Sequence, residues 1–325
     1  MAGRSPKDPD REEAVSASLV HAPVLVSETL RLLNLRPGAG VVDATLGSGG
    51  HAREILKVIG PDGRLVGIDQ DPEAVERAKK SLEGFPQVCT VRENFSGLHE
   101  ILERLNFREV DAVILDVGVS SEQLEEARRG FSFLKDGPLD MRMDPGRPVT
   151  ARDLVNDLSQ EELERIFRKY GEERWAKRIA GAICRERFQK PIETTAQLVQ
   201  LVRKAVPRPL SYGPRHPAMR VFQALRIAVN QELQSLERVL PPALTALRSG
   251  GRLAVITFHS LEDRIVKRTF REWKDQGKVM ILTPKPVTPT PEEVQRNPRA
   301  RSAKLRGVEK LVSGRSDEGT RKSSL

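Results

Sequence analysis

The sequence predicts an α/β protein: a doubly wound, mostly parallel sheet interrupted by a helical module. Three observations carry this. Apolar strand patterns alternate with amphipathic helix patterns over roughly the first 118 residues, and a glycine-rich turn follows the first strand. The alternation then stops for over a hundred residues and resumes at Gly250-Gly251.

Val41-Val42-Asp43-Ala44-Thr45-Leu46-Gly47-Ser48-Gly49-Gly50-His51 reads as a buried strand running into a turn that opens a helix. Glycines there let backbone approach a ligand, and free N–H groups of the first helical turn face it. His51 to Ile59 is the helix, ended by Gly60-Pro61-Asp62-Gly63. Arg64 to Asp69 is the second strand, and Pro72 starts a helix to about Leu82. Val88 to Glu93 is the third strand, with Asn94-Phe95-Ser96 at its carboxyl end; a helix over Gly97 to Leu105 leads to the fourth, Val110 to Asp116. Beyond it come helices over 161–169, opened by the capping box of Ser159 and Glu162, and from Thr194 to Ala205. Pro207 to Pro217 is a rigid basic loop before one long helix striped by Leu225, Val229, Leu233, Leu236 and Leu240. A fifth strand ends at His259, a helix spans Leu261 to Lys274, and a short strand lies at Val279 to Leu282. The proline-, arginine- and serine-rich stretch 284–325 is expected to be poorly ordered.

The 325 residues suffice for two domains at about 100 to 200 residues each. A hydrophobic fraction of 38% and a charged fraction of 30% are those of a soluble protein. No apolar run reaches the roughly 18 residues of a membrane span, and MAGRSPKDPDREEAVSAS lacks a signal-peptide core. A cytoplasmic location is expected. Cys89 and Cys184 read as plain thiols, and the histidines at 21, 51, 99, 216 and 259 are scattered, so no metal site is expected. The net charge of +9 is concentrated: 15 basic against 9 acidic residues from Pro145 to Pro217, and 10 against 5 from Pro284 to Leu325. Such stretches fit a polyanion such as RNA, or equally an ordinary helix surface and a solvated tail.

Gly47-x-Gly49-x-x-Ala52, with Asp69 twenty residues past Gly49, satisfies the relaxed dinucleotide fingerprint and alone would suit NAD. Three further strand-end positions favour S-adenosylmethionine. Asp43 suits a ligand carrying ammonium and sulfonium rather than a pyrophosphate. Phe95 offers a face to adenine, and Asp116 stands where the reacting end should lie.

The chain resembles the bacterial 16S ribosomal RNA cytosine-N4 methyltransferases of the MraW type. The matching stretches include His21-Ala-Pro-Val-Leu25, Asp43 to His51, Gly67-Ile-Asp-Gln-Asp-Pro72, Asp116-Val-Gly-Val-Ser-Ser-Glu-Gln-Leu124 and Arg129 to Asp144. They continue through Tyr170 to Arg174, His216 to Arg226, Phe258 to Arg264 and Asn297 to Ser302, nearly the whole chain. Departures are Val117 in place of leucine, an extended N-terminus and a longer tail. The resemblance implies a Rossmann-like methyltransferase sheet. It implies cofactor contacts at Gly49, Gly50, His51, Asp69, Phe95, Asp116 and Gln123, beside the Asp43 and Gly47 already read from the loop. It also implies methylation of the exocyclic N4 amine of a cytidine in 16S rRNA within the small ribosomal subunit, with Asp116 as candidate catalytic group. Arg129, Phe131, Phe133, Asp140, Arg142 and Asp144 are expected to form a lip over the target, edged by Arg215, His216 and Arg220; the alternative for Phe131 and Phe133 is anchoring the helical insert.

The expected organisation is an N-terminal extension over 1–20, a cofactor-binding domain of 21–124 and 218–283, an inserted helical recognition domain of 125–217 and a basic tail of 284–325. No membrane or metal partner is expected, and a homodimer is left open. The competing readings are an NAD-dependent oxidoreductase and a non-catalytic rRNA-binding assembly factor.

Overall fold

The computed structural model of the chain describes residues 23–207 and 216–312. Its strands are β1 (Gly40–Asp43), β2 (Arg64–Asp69), β3 (Val88–Arg92), β4 (Val110–Asp116), β5 (Leu247–Thr257), β6 (Val279–Ile281) and β7 (Lys304–Lys310). They form one sheet in the order β3-β2-β1-β4-β5-β7-β6, parallel through β5, with β7 antiparallel to both neighbours. The chain leaves β3 at one edge and returns beside β1 as β4. A crevice therefore opens between the carboxyl ends of β1 and β4, where open α/β sheets hold ligands.

The principal helices, in chain order, are α1 (Val26–Leu33), α2 (Gly50–Ile59), α3 (Pro72–Ser81), α4 (Leu98–Arg104), α5 (Ser121–Glu125), α6 (Ala151–Asp157), α7 (Gln160–Gly171), α8 (Ala176–Gln189), α9 (Thr195–Ala205), α10 (Met219–Asn230), α11 (Glu232–Ala246), α12 (Ser260–Asp275) and α13 (Pro291–Arg296). Successive strand residues point to opposite faces. Val41, Leu65 and Ile114 accordingly pack with α1 and α2, while Val42, Val66 and Val113 pack with α4, α11 and α12. A third core, from Phe131 to Val229 with Leu261, binds α6 to α10 together between β4 and β5.

Three expectations change. The long helix is two: α10 ends at Asn230, and Gln231 adopts a left-handed conformation (φ 54°) before α11 begins. No glycine or proline marks that break. The expected boundary places α10 in the sheet domain, whereas Val221, Phe222 and Leu225 pack in the core of the insert. The stretch after 284 is not poorly ordered throughout, because β7 lies inside the sheet with Leu305 and Val308 fully buried. The charges that suggested solvation are paired: Arg306 lies 2.6 Å from Asp263, and Glu309 2.9 Å from Arg252.

Candidate active site

The crevice is a cleft of about 220 Å³ lined on one side by Ala44 to Ser48, Gly50, His51, Asp69 and Phe95. Asp116 to Gln123 form its middle, and Asn230, Glu232, Phe258 and Glu262 its far end. The glycine turn is held open by Gly47 (φ 53°) and Gly49 (φ 85°), a conformation that costs glycine little. Gly47 N donates to Asp69 Oδ2 at 2.8 Å, and Asp71 N to Asp69 Oδ1 at 2.9 Å, so Asp69 ties the turn to the end of β2. The Asp116 N–H donates to Thr45 Oγ1 at 2.6 Å, joining the ends of β1 and β4.

At the floor, His51 Nε2 stands 3.5 Å from Asp116 Oδ2. His51 also hydrogen-bonds the Val24 backbone, which fixes the ring. Asp43 is 1% exposed and lies behind this pair; one of its oxygens accepts from Thr45 N at 3.1 Å. His51 Nε2, Asp116 Oδ1 and Asp43 Oδ2 are buried without a hydrogen-bond partner. Buried polar atoms left without partners are few in folded proteins, and three of the seven among the described residues meet at this floor. Burial pushes the Asp43 carboxyl up to about 6 against the opposing pull of His51, and burial likewise lifts Asp69 to about 6. Burial alone would lower His51, but Asp116 and Asp43 outweigh it and hold the imidazole above its ordinary range.

Of the cofactor candidates, Gly47, Gly50, His51, Asp69, Phe95, Asp116 and Gln123 line the cleft. Asp43 and Gly49 do not. They stand behind the lining, where a Cβ on Gly49 would come within 2.9 Å of Ser81 Oγ. Gln123 is occupied: its Oε1 accepts from Ser120 N at 3.0 Å and its Nε2 donates to Asp71 at 2.8 Å.

The expected RNA lip takes a different form. Arg129, with a side chain only 6% exposed, donates to Asp71 at 2.9 Å and to the carbonyls of Arg142 and Met143 at 3.0 Å. Phe131 is buried in the core of the insert. Asp140 and Arg142 pair with each other at 2.7 Å, and Asp144 lies 3.3 Å from Arg92. Phe133 stacks on His216 at 4.7 Å and meets Phe222 edge-on. Arg220 donates to the Glu172 carbonyl. The segment 129–144 is thus a strap, locked further by Asn230, whose side chain bonds Met143 N at 2.8 Å and Met141 O at 2.7 Å. None of the described lip candidates lines the cleft; Arg215, like His21, falls outside the described residues. Sequence alone does not separate the two cases, because Arg and Asp in an odd, polar stretch look the same whether they face RNA or each other.

Sequence reasoning missed Glu232, Glu262, Asn297 and Arg299 at the far wall and rim. Glu262 carried a signal, since His259-x-x-Glu262 forms the capping box of α12. The fold also brings possible ligand atoms of Glu232, His259 and Glu262 within 4.8 Å of one another, a metal-like grouping where none was expected. The two carboxylates of this grouping already have partners, and the imidazole has one on a single nitrogen. The Nδ1 of His259 accepts from Glu262 N at 3.4 Å, whereas its Nε2 is buried 3.1 Å from Glu262 Oε1 without a hydrogen bond. Both oxygens of Glu232 are held by Arg226, at 2.8 and 2.9 Å. The cluster is a network of hydrogen bonds and charges that presents carboxylates to the cleft.

The sequence profile described as the MraW methylase family matches residues 18–311. A protein of Symbiobacterium thermophilum named ribosomal RNA small subunit methyltransferase H is 51% identical over 310 residues, covering 90% of this chain and 98% of its own length. Proteins of the same name from Geobacter sulfurreducens and Halothermothrix orenii are 53% and 46% identical, covering 90% and 91% of this chain and 99% and 100% of their own.

Proposed function

The chain belongs to the MraW methylase family, and on that footing we propose that it transfers the methyl group of S-adenosyl-L-methionine to the N4 amine of a cytidine in 16S rRNA of the small ribosomal subunit. The relatives' shared name supports the substrate class. The observation that carries the reaction is the convergence of His51 Nε2 and Asp116 Oδ1, both buried and unpartnered, on one cleft beside a glycine turn. No helix among the described residues is long and apolar enough to cross a membrane, and a ribosomal substrate puts the enzyme in the cytoplasm.

The donor set fits this cofactor. Asp69 retains acceptor capacity for ribose hydroxyls, Phe95 gives adenine a face, and the carboxylates around His51 favour a cationic end. A dinucleotide would place its pyrophosphate against the same carboxylates, and that repulsion disfavours the NAD reading. When bound, the cofactor supplies a methyl group made electrophilic by its sulfonium. Asp116 Oδ1 accepts one N4 hydrogen, which turns the nitrogen lone pair toward the methyl carbon. The same carboxylate can take the proton that the amine sheds once alkylated. His51 keeps Asp116 in that orientation, and alignment of this kind is worth about 7 to 11 kcal/mol of barrier in favourable cases. Glu232 and Glu262 close the opposite wall, where the base would enter.

The test is mass spectrometry of 16S rRNA from cells with and without the gene, joined to calorimetry of the purified chain with S-adenosylmethionine and NAD. Loss of one N4-methyl mark and binding of S-adenosylmethionine alone are expected. Tight NAD binding, or rRNA unchanged by deletion, overturns the assignment. An assembly factor with an idle pocket would instead tolerate Asp116→Asn.

A further inference from the structure

Outside the cleft, one face of α8 has chemistry that methyl transfer leaves unused. Arg174, at the entrance to the helix, is followed by Arg178, Arg185 and Phe188 at intervals of four, seven and three residues. Those intervals place them along a single helical stripe. All four are exposed, and Phe188 is 92% exposed, the most exposed large apolar side chain among the described residues. None of the three arginines has a hydrogen-bond or ion-pair partner among the described residues. Arg187, off the stripe, is by contrast engaged with the Val155 carbonyl at 2.7 Å.

The stripe has a direction. Glu172, two residues before Arg174, pairs with Arg264 at 3.0 Å and accepts from Ser260 Oγ at 3.1 Å. Both partners lie in the first turns of α12, whose Glu262 lines the far wall of the cleft. The arginines therefore begin two residues from a contact with the start of α12, which carries Glu262 of the cleft wall, and extend along a helix of 14 residues, roughly 20 Å.

We propose that this face of α8 is the track for the RNA that flanks the target nucleotide, with phosphates against Arg174, Arg178 and Arg185 and an unpaired base stacked on Phe188. The proposal rests on the reading that the substrate is RNA. Charge complementarity selects the occupant: unpaired guanidiniums are phosphate binders. Its neighbours along the chain, Arg185, Glu186, Gln189 and Lys190, are all exposed and polar, with two cations to one anion, unlike the apolar surroundings of an aromatic in a protein–protein patch.

The test uses the full chain with R178E/R185E, F188A and F188W, and R108E as a control at the amino end of β4, opposite the cleft. Binding to small ribosomal subunits lacking the mark is followed against salt, beside methyl-transfer kinetics and calorimetry with S-adenosylmethionine. The double variant is expected to keep its cofactor affinity and kcat, to raise KM for the particle at least about tenfold, and to lower the salt slope by about 2. F188A is expected to weaken binding roughly five- to a hundredfold at unchanged slope, with F188W restoring it. The track is overturned by variants that bind and react like the parent, by R108E having the same effect, or by F188A altering only the mass in sedimentation, which would mark a contact between copies. If the parent binds rRNA through α8 yet transfers no methyl group, the proposed function fails and the track stands. If the parent does not bind rRNA, both fall.

Discussion

Arg129 and Asp71 form a buried ion pair at 2.9 Å that joins the strap over 129–144 to the start of α3, directly behind the cofactor cleft. Asp71 also receives Gln123 and caps α3 through Glu73 N, so the carboxylate joins three elements. Removing one partner of such a pair leaves an uncompensated buried charge. Arg129→Ala is expected to lose about 3 to 5 kcal/mol of stability in chemical denaturation. Lysine cannot reach Asp71 and two carbonyls together, so Arg129→Lys should rescue only part of it. Wild-type denaturation of the alanine variant would show the strap to be held by other contacts.

His51→Gln separates the orienting role of the imidazole from folding. Asp116 would keep its backbone bond to Thr45 but lose the ring beside it. A fall in kcat on the order of a hundredfold is expected, with little change in thermal midpoint. Single-turnover methyl transfer to unmodified small subunits measures it, and an unchanged rate refutes the orienting role.

The pH dependence follows from carboxyl groups whose pKa values are raised to about 6 at Asp43 and Asp69. A cationic ligand and ribose hydroxyls both favour the ionised forms, so cofactor affinity is gained as pH rises through 6 and lost below it. Between pH 7 and pH 5 the dissociation constant should rise about tenfold for each group that must be ionised. Stability of the free protein runs the other way: because the folded pKa values exceed the unfolded ones, these two groups weaken the fold as pH climbs from about 4 to 6. Calorimetry across this range, with Asp69→Asn as the variant that flattens one step, decides whether these carboxylates govern binding.

Gly130 ends the turn after α5 at φ 70°, and a Cβ there would fall 2.2 Å from the Pro138 carbonyl. Gly130→Ala should cost at least about 2 kcal/mol from strain and overpacking. A thermal scan equal to wild type would mean that the strap has room to move.

The first four strands and the glycine turn were legible because their signals are local: period-two apolar runs, turn residues and the proline of α3. Asp69, Phe95 and Asp116 could be placed for the same reason, since Asp69 and Asp116 end their strands and Phe95 lies three residues past β3. What escaped depends on pairing between distant residues. Arg129 looked available until Asp71 met it, and Arg306 looked solvated until Asp263 did. Gln231 carries no intrinsic preference for the left-handed backbone that splits α10 from α11.

The insertion of β7 between β5 and β6 has a consequence for biosynthesis. During translation, β5 emerges with an open edge, and its eventual neighbour leaves the ribosome only after α12, β6 and α13 have been made. Until then β5 exposes unpaired backbone on one side, the Asp263 carboxylate lacks its arginine, and Arg299 has not reached the rim of the cleft. The sheet is therefore complete only once β7 has been made, and a nascent chain stalled before Lys304 should be a client for chaperones rather than a partly active methyltransferase.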